Sequence, residues 1–349
     1  MNRPPAVAIT VPLTPRSVER LTSARDDVGW LWAPELLPTP RHPGDYVGEP
    51  GFRRTPAQQE RYDRLVDGAQ VLLGIPDTDP AALRRTALAN PSLAWVHTMA
   101  AGGGAQLEAA ALPPERLGTL TVTTSAGVHG GALAEFALLG LLAGVKDLPR
   151  LQRDQRARRW PERQPVGQLQ GRVVLVLGTG GIGSRVAALV TAFGARCWAL
   201  ARDGRPRPGF DRVLTQAELL SHLGQVDAVV CALPGTRLTH HLVDAAFLGA
   251  LRRGAVVVNV GRGSVIDEHA LVEALASGRV GFAALDVFEV EPLPVESPLW
   301  DSERVMLSPH TAALDAGEEE RIVELFLDNL DRWLTGRRLR NVVDSVEFY

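Results

Sequence analysis

The feature that most narrows what this chain can fold into is a run of five apolar residues, Val173–Leu177, that breaks directly into Gly178-Thr179-Gly180-Gly181-Ile182-Gly183. In G-x-G-x-x-G set between a strand-like run and a helix-like stretch, the first glycine permits a tight turn. The second lets a pyrophosphate approach backbone N–H groups at a helix N-terminus, and the third lets the helix pack on the strand. The spacing predicts a βαβ unit that binds a dinucleotide, with Gly178, Gly180, Gly181, Ile182 and Gly183 as cofactor-binding residues.

The flanking pattern extends that unit into a sheet. After VVLVL come ARCWALA, DAVVCALP, AVVVNVG and FAALDVF, each separated by a helix-like segment. The first half of the chain has its own rhythm: AVAITVPL from Ala6, VGWLWAP from Val28, AQVLLGIP from Ala69, LAWVHTMA from Leu93 and LTVTTSAG from Leu120. Alternation of this kind predicts parallel sheets with helices on their faces. A length of 349 residues exceeds what one core ordinarily serves. The expected fold is therefore two doubly wound parallel-sheet α/β domains, a Rossmann cofactor domain over residues 125–311 and a flavodoxin-like substrate domain. The latter is discontinuous, residues 1–124 plus 312–349, because the amphipathic tail EEERIVELFLDNLDRWLTG follows strands that already complete the second sheet. A helix beginning near His129, apolar on nearly every face, suits a buried place between domains or subunits. The stretch from Pro38 to Pro56, dense in Pro, Gly and Arg, reads as a candidate active-site flap.

Composition removes several function classes. The 37 basic and 40 acidic residues give a net charge of -3, with arginines dispersed along the chain, so no nucleic-acid footprint is expected. Lys146 is the only lysine, which sets Schiff-base chemistry aside. Cys197 and Cys231 lie in apolar runs and read as small buried residues. No run reaches the roughly 18 apolar residues of a membrane span, and MNRPPAVAIT lacks a signal-peptide core, so a cytoplasmic protein is expected. His129 and the adjacent His240 and His241 lack the spacing and carboxylate companions of a metal site, and no metal is assigned.

The tip of the second cofactor-domain strand selects between nicotinamide cofactors. Ala201 stands where an acidic residue would receive the ribose 2′-hydroxyl of NAD, and Arg202, Arg205 and Arg207 can hold a 2′-phosphate. NADP(H) is the preferred cofactor on this reading. NAD(H) remains open, because Asp203 reaches the ribose if the turn shifts by two residues.

Three ionisable residues fall at strand exits further on: Arg262 in NVGRGSVIDEHAL, Glu291 in LDVFEVEPLP and His310 in VMLSPHTAA. Open α/β sheets place ligands at the carboxyl ends of their strands. These blocks, with the GTGGIG turn and LPGTRLTHHLV from Leu233, appear in the order of the D-isomer-specific 2-hydroxyacid dehydrogenases, which the chain resembles over most of its length. The resemblance is to the glyoxylate/hydroxypyruvate reductase type. It implies that Arg262 binds the substrate carboxylate and carbonyl oxygen, that His310 exchanges the proton, and that Glu291 pairs with the imidazole. It further implies a substrate loop at Ala100–Ala105, with Ala101, Gly102 and Gly103 meeting the carboxylate, and cofactor contacts from Leu233, Pro234, Thr236, Thr239, Val260 and Asp286. The expected reaction is hydride transfer between NADP(H) or NAD(H) and a small 2-oxo or D-2-hydroxy acid, in the cleft between the domains of a homodimer. A nicotinamide-sensing corepressor of the same fold, or a relative acting on formate or phosphite, is the alternative. The chain departs from the family where an AEH motif reads Glu135-Phe136.

Overall fold

In the computed structural model, which describes residues 4–42 and 44–345, all pairings between the named strands are parallel. Met1, Asn2 and Arg3 of the N-terminal segment lie outside the described residues. The chain divides into two compact units, residues 1–129 with 314–349, and residues 130–313.

The first unit is built on β1 (Ala6–Ile9), β2 (Gly29–Leu31), β3 (Val71–Leu73), β4 (Trp95–His97) and β5 (Thr121–Thr123). Their order is β2-β1-β3-β4-β5, the flavodoxin-like arrangement. These are the five apolar runs of the first half. Period-two alternation sends Val7, Ile9, Val71 and Leu73 into one core layer and Ala8 and Leu72 into the other. The helix Glu318–Leu334 covers the first of these layers with Ile322, Val323, Phe326 and Leu330. That apolar stripe is what returns the C-terminal tail to this sheet. Within the Pro38–Pro56 stretch Asp45 is buried, ion-paired with Arg41 at 2.6 Å, and accepts the Gly48 N–H at 3.0 Å, while Arg54 pairs with Asp77 outside it at 2.8 Å.

The second unit holds seven strands: β6 (Val173–Leu177), β7 (Arg196–Leu200), β8 (Arg212–Leu214), β9 (Ala228–Cys231), β10 (Ala255–Asn259), β11 (Val280–Leu285) and β12 (Val305–Leu307). Their order, β12-β11-β10-β9-β6-β7-β8, is that of a doubly wound Rossmann sheet. All five residues of β6 are buried, as a strand covered on both faces requires. The edge strand β8 has no counterpart in the sequence reading, since Arg212-Val213-Leu214 is too short to show a period. The helix near His129 spans Gly130–Val145 and packs Leu133, Ala134, Ala137 and Leu141 on the sheet, while Leu139 stays 52% exposed.

The sequence reading divides the chain at 124/125 and 311/312, the structure at 129/130 and 313/314. The first difference has a local cause. Thr124 donates its N–H to Asn341 O and Ser125 to Ala100 O, so the chain stays bonded to the first sheet until the helix begins at Gly130.

Candidate functional site

The glycine turn lies at the exit of β6, beside β9, where the strand order reverses. Gly178 has φ +107°, and a Cβ there would stand 2.9 Å from Ala232 O. At Gly183 a Cβ would overlap the Gly178 carbonyl. Above Gly180, in contrast, nothing lies within 4 Å of where a Cβ would stand. Two of the glycines are therefore demanded by the chain's own packing, and the third keeps space for a group from outside. The helix Gly181–Ala192 begins at Gly180 with no side-chain cap, leaving its first N–H groups to an anion. The cradle fits a dinucleotide pyrophosphate.

Beyond β7 the turn carries Ala201, Arg202, Asp203, Arg205 and Arg207. Asp203, the residue that leaves NAD(H) open, is already engaged. Arg207 Nη2 donates to both its oxygens at 3.1 and 2.9 Å, and the Arg205 N–H donates at 3.2 Å. These contacts, that of Arg207 foremost, hold the Asp203 carboxyl below the usual carboxylate range.

Three adjacent strands deliver the other candidates. Register pairs Asn259 with Leu285 and Leu285 with Leu307, so β10, β11 and β12 end side by side. Arg262 leaves β10 exposed, with Nη1 on its neighbour's carbonyl, Gly261 O, at 2.8 Å. Among the described residues it has no carboxylate partner, so its charge is unneutralised at a strand exit. Gly263 presses the arginine segment onto the loop after β11: a Cβ at Gly263 would overlap the Phe288 carbonyl. That loop carries Glu291, whose Oε1 accepts the Phe288 N–H at 3.0 Å. Its Oε2 lies 2.7 Å from His310 Nδ1, with the two side chains 36% and 48% exposed. A carboxylate can only accept, so Nδ1 carries the proton and donates to Glu291. Nε2 has no partner among the described residues. His310 has φ +56°, a left-handed conformation that non-glycine residues enter at a cost and that clusters at functional positions.

Asp286 holds that conformation. It is 1% exposed, and its Oδ1 accepts from Ser308 Oγ at 2.6 Å and from the N–H groups of Thr311 and Ala312, both at 2.9 Å. Its carbonyl receives the His310 N–H at 2.9 Å. The resemblance assigns Asp286 to the cofactor, and what the geometry displays is a buried anion that ties down the His310 loop. Thr239 Oγ1 donates to Pro234 O at 2.6 Å and accepts the Thr236 N–H at 2.8 Å, so this hydroxyl is spent closing its own turn. The turn carries Leu233, half-buried and packed against the core. Val260 is a core residue whose N–H bonds Cys231 O.

A second imidazole–carboxylate pair escapes the sequence reading. His241 Nε2 meets Glu289 Oε1, and the Glu289 N–H donates to Glu268 Oε1 at 2.6 Å. Burial, with Glu289 and Glu291 adding repulsion, raises Glu268 above the ordinary glutamate range. The residues are visible in His240-His241 and Glu289-Val290-Glu291, but nothing local reveals that His241 finds a carboxylate companion in Glu289, 48 positions away. In the first unit, Ala101, Gly102 and Gly103 follow β4, and Gly103 packs so closely on Thr98 that a Cβ would overlap its side chain.

A doubly wound sheet with an open glycine turn, and an unneutralised arginine and a histidine–glutamate pair at the exits of three neighbouring strands, is the architecture of a dinucleotide-dependent enzyme. Residues 138–312 match the D-isomer specific 2-hydroxyacid dehydrogenase, NAD binding domain, and the chain belongs to that family of NAD(P)-dependent oxidoreductases. A glyoxylate reductase from Korarchaeum cryptofilum is 33% identical over 231 residues, covering 64% of this chain and 69% of that protein. A D-isomer specific 2-hydroxyacid dehydrogenase from Xanthobacter autotrophicus, solved with NADPH and MES, superposes with a TM-score of 0.78 at 28% identity, over 99% of this chain and 100% of that one. A family member from Aeromonas salmonicida gives 0.78 at 29% identity, over 98% and 100%. No helix among the described residues is long and apolar enough to cross a membrane.

Proposed function

We propose that the protein reduces a small 2-oxo acid of the glyoxylate or hydroxypyruvate type to its D-2-hydroxy acid with NADPH. The observation that carries this is the His310–Glu291 pair, with Nε2 left free, after β12 and β11, the second of which neighbours β10, the strand that presents Arg262. Arg262 binds the carboxylate and carbonyl oxygen of the substrate, a bidentate task that suits a guanidinium. As the imidazolium, with Nδ1–H held by Glu291, His310 gives its Nε2 proton to the carbonyl oxygen and is left as the neutral ring still bonded to Glu291. Ala101, Gly102 and Gly103 offer backbone N–H groups to the carboxylate. The nicotinamide, when bound, supplies the hydride.

The glycine turn from Gly178 to Gly183 holds the pyrophosphate. Arg202 and Arg205, with Arg207 braced on Asp203, favour the 2′-phosphate, in keeping with the NADPH of the Xanthobacter relative. Leu233, Pro234, Thr236 and Val260 line the remainder of the cofactor's path. Residues 1–124 with 312–349 serve the substrate and residues 125–311 the cofactor. The protein acts as a cytoplasmic homodimer joined through the Gly130–Val145 helix, whose Leu139 is exposed. Two buried cysteines whose thiols burial pushes up to about 12 suit a reducing compartment.

The test is NADPH and NADH oxidation against glyoxylate, hydroxypyruvate, phenylpyruvate and branched 2-oxo acids. We expect turnover with the two smallest, faster with NADPH, and a loss of at least a hundredfold in kcat/KM in Arg262→Ala. Near-normal turnover by that variant overturns the site assignment.

A further inference from the structure

Beneath the Ala101–Gly103 loop the first unit buries a chain of polar groups that the reading above does not use. His97, fully buried at the end of β4, has Nδ1 2.8 Å from Thr123 Oγ1 and Nε2 3.2 Å from Ser125 Oγ. Thr123 is its cross-strand neighbour on β5.

The proton positions follow by elimination. Trp95 Nε1 can only donate, and it does so to Thr123 Oγ1 at 2.8 Å. The hydroxyl proton of Thr123 then has His97 Nδ1 as its acceptor. Nδ1 is therefore bare, Nε2 carries the hydrogen, and Nε2 donates to Ser125. The Ser125 hydroxyl passes its own proton to Thr98 O at 2.9 Å. The opposite polarity would strand the buried Thr123 hydroxyl hydrogen and take Ser125's single proton away from Thr98, each at the cost of an unmet buried polar group. The ring is walled by Trp95 and Phe326, at centroid distances of 6.2 and 5.7 Å.

This relay ends on the loop. Thr98 Oγ1 donates to Ala100 O at 2.9 Å, and the Ser125 N–H donates to the same carbonyl at 3.2 Å. With the Ala100 C=O fixed toward the sheet, the planar trans peptide turns the Ala101 N–H the opposite way. That N–H has no partner among the described residues.

We propose that His97 is a positioning residue: through Ser125 its single tautomer fixes the Ala100–Ala101 peptide so that the Ala101 N–H faces the carboxylate of a 2-oxo acid. The proposal rests on the substrate-loop reading above. Neither His97 nor Ser125 touches substrate. The role is to set the direction of a donor before the ligand arrives, which lowers KM at little cost to the chemical step.

Kinetics of His97→Phe, His97→Gln and Ser125→Ala, with nitrogen NMR of histidine-labelled protein, test it. We expect His97→Phe and Ser125→Ala to raise KM for the 2-oxo acid about tenfold, with kcat and the NADPH KM within about twofold. His97→Gln, which can accept from Thr123 and donate to Ser125, should stay within about threefold of the parent. The His97 resonances, assigned by their loss in His97→Gln, should report hydrogen on Nε2 at all pH values where the protein is folded. Unchanged KM in both disruptive variants, or parallel losses in kcat and both KM values, overturns the proposal, and Ser125→Ala decides alone if His97→Phe does not fold. Should the parent reduce no 2-oxo acid, the function reading fails. The relay is then judged by NMR: hydrogen on Nδ1, or a ring that titrates between pH 5 and 8, overturns it.

Discussion

Replacing Glu291 by Gln tests the proton-transfer proposal at its narrowest point. The substitution preserves shape and leaves an amide oxygen to accept the Phe288 N–H, but it puts an NH2 where Oε2 meets His310 Nδ1. Two donors cannot share that contact, so the imidazole hydrogen moves to Nε2 and the ring loses the anion that balances it when charged. Opposite charges 4 Å apart attract by about 4 kcal/mol at an effective dielectric of 20 and by about 1 kcal/mol in bulk water. With side chains 48% and 36% exposed, the pair falls between these limits, at about 2 kcal/mol. That corresponds to a fall of about thirtyfold in kcat. The assay is single-turnover NADPH oxidation at saturating 2-oxo acid, which isolates chemistry from product release, with the cofactor KM as internal control. A kcat within twofold of the parent would refute the reasoning, since the carboxylate would then be dispensable to the transfer.

Asp286→Asn should cost about 3 kcal/mol in chemical unfolding, because three hydrogen bonds to one buried carboxylate oxygen drop from charge-assisted to neutral strength, about 1 kcal/mol each. A loss below 1 kcal/mol would show that the loop carrying His310 is held by something else. Arg207→Ser frees Asp203 and removes a cation, so KM for NADPH should rise about tenfold while that for NADH stays level or falls. Equal changes for both cofactors would remove the turn from selectivity. His97 gives a pH dependence: burial lowers it from the ordinary 6.5 to about 3. Between those values the unfolded chain binds a proton that the folded protein refuses, so stability falls by about 1.4 kcal/mol per pH unit as pH drops below about 6.5 and is unaffected above it. The urea-derived unfolding free energy of His97→Gln should therefore gain on that of the parent by about 2.7 kcal/mol between pH 7 and pH 4.5, and a constant difference would contradict a buried neutral ring.

The architecture was legible because its determinants are local and periodic. Apolar runs such as VVLVL and AVVVN, covered on both faces, can be little else than interior parallel strands, and a glycine turn after one of them orients the whole second sheet. The tail was legible through the stripe Ile322, Val323, Phe326 and Leu330. Edges were less so: β8, three residues with one exposed and one half-buried, carries no period to read.

At the site, the candidates recognised from sequence were those carried by motifs at strand exits, and what escaped was who meets whom across segments. Nothing near Asp286 says that its oxygen gathers Ser308, Thr311 and Ala312, or near Asp203 that Arg207 occupies it. The His97 relay lies between these extremes. Trp95 and His97 occupy alternate positions of one buried strand, Thr123 and Ser125 the same spacing at the end of its neighbour, and parallel register sets His97 beside Thr123. Polar side chains at period two inside fully buried strands cannot be left unmet, so two such strands in adjacent places imply that they bond each other. That inference needs only the strand order, and strand order follows from the doubly wound pattern. A buried polar network of this kind is thus readable in principle one step after the fold, once the question put to each interior strand is where its polar groups find partners.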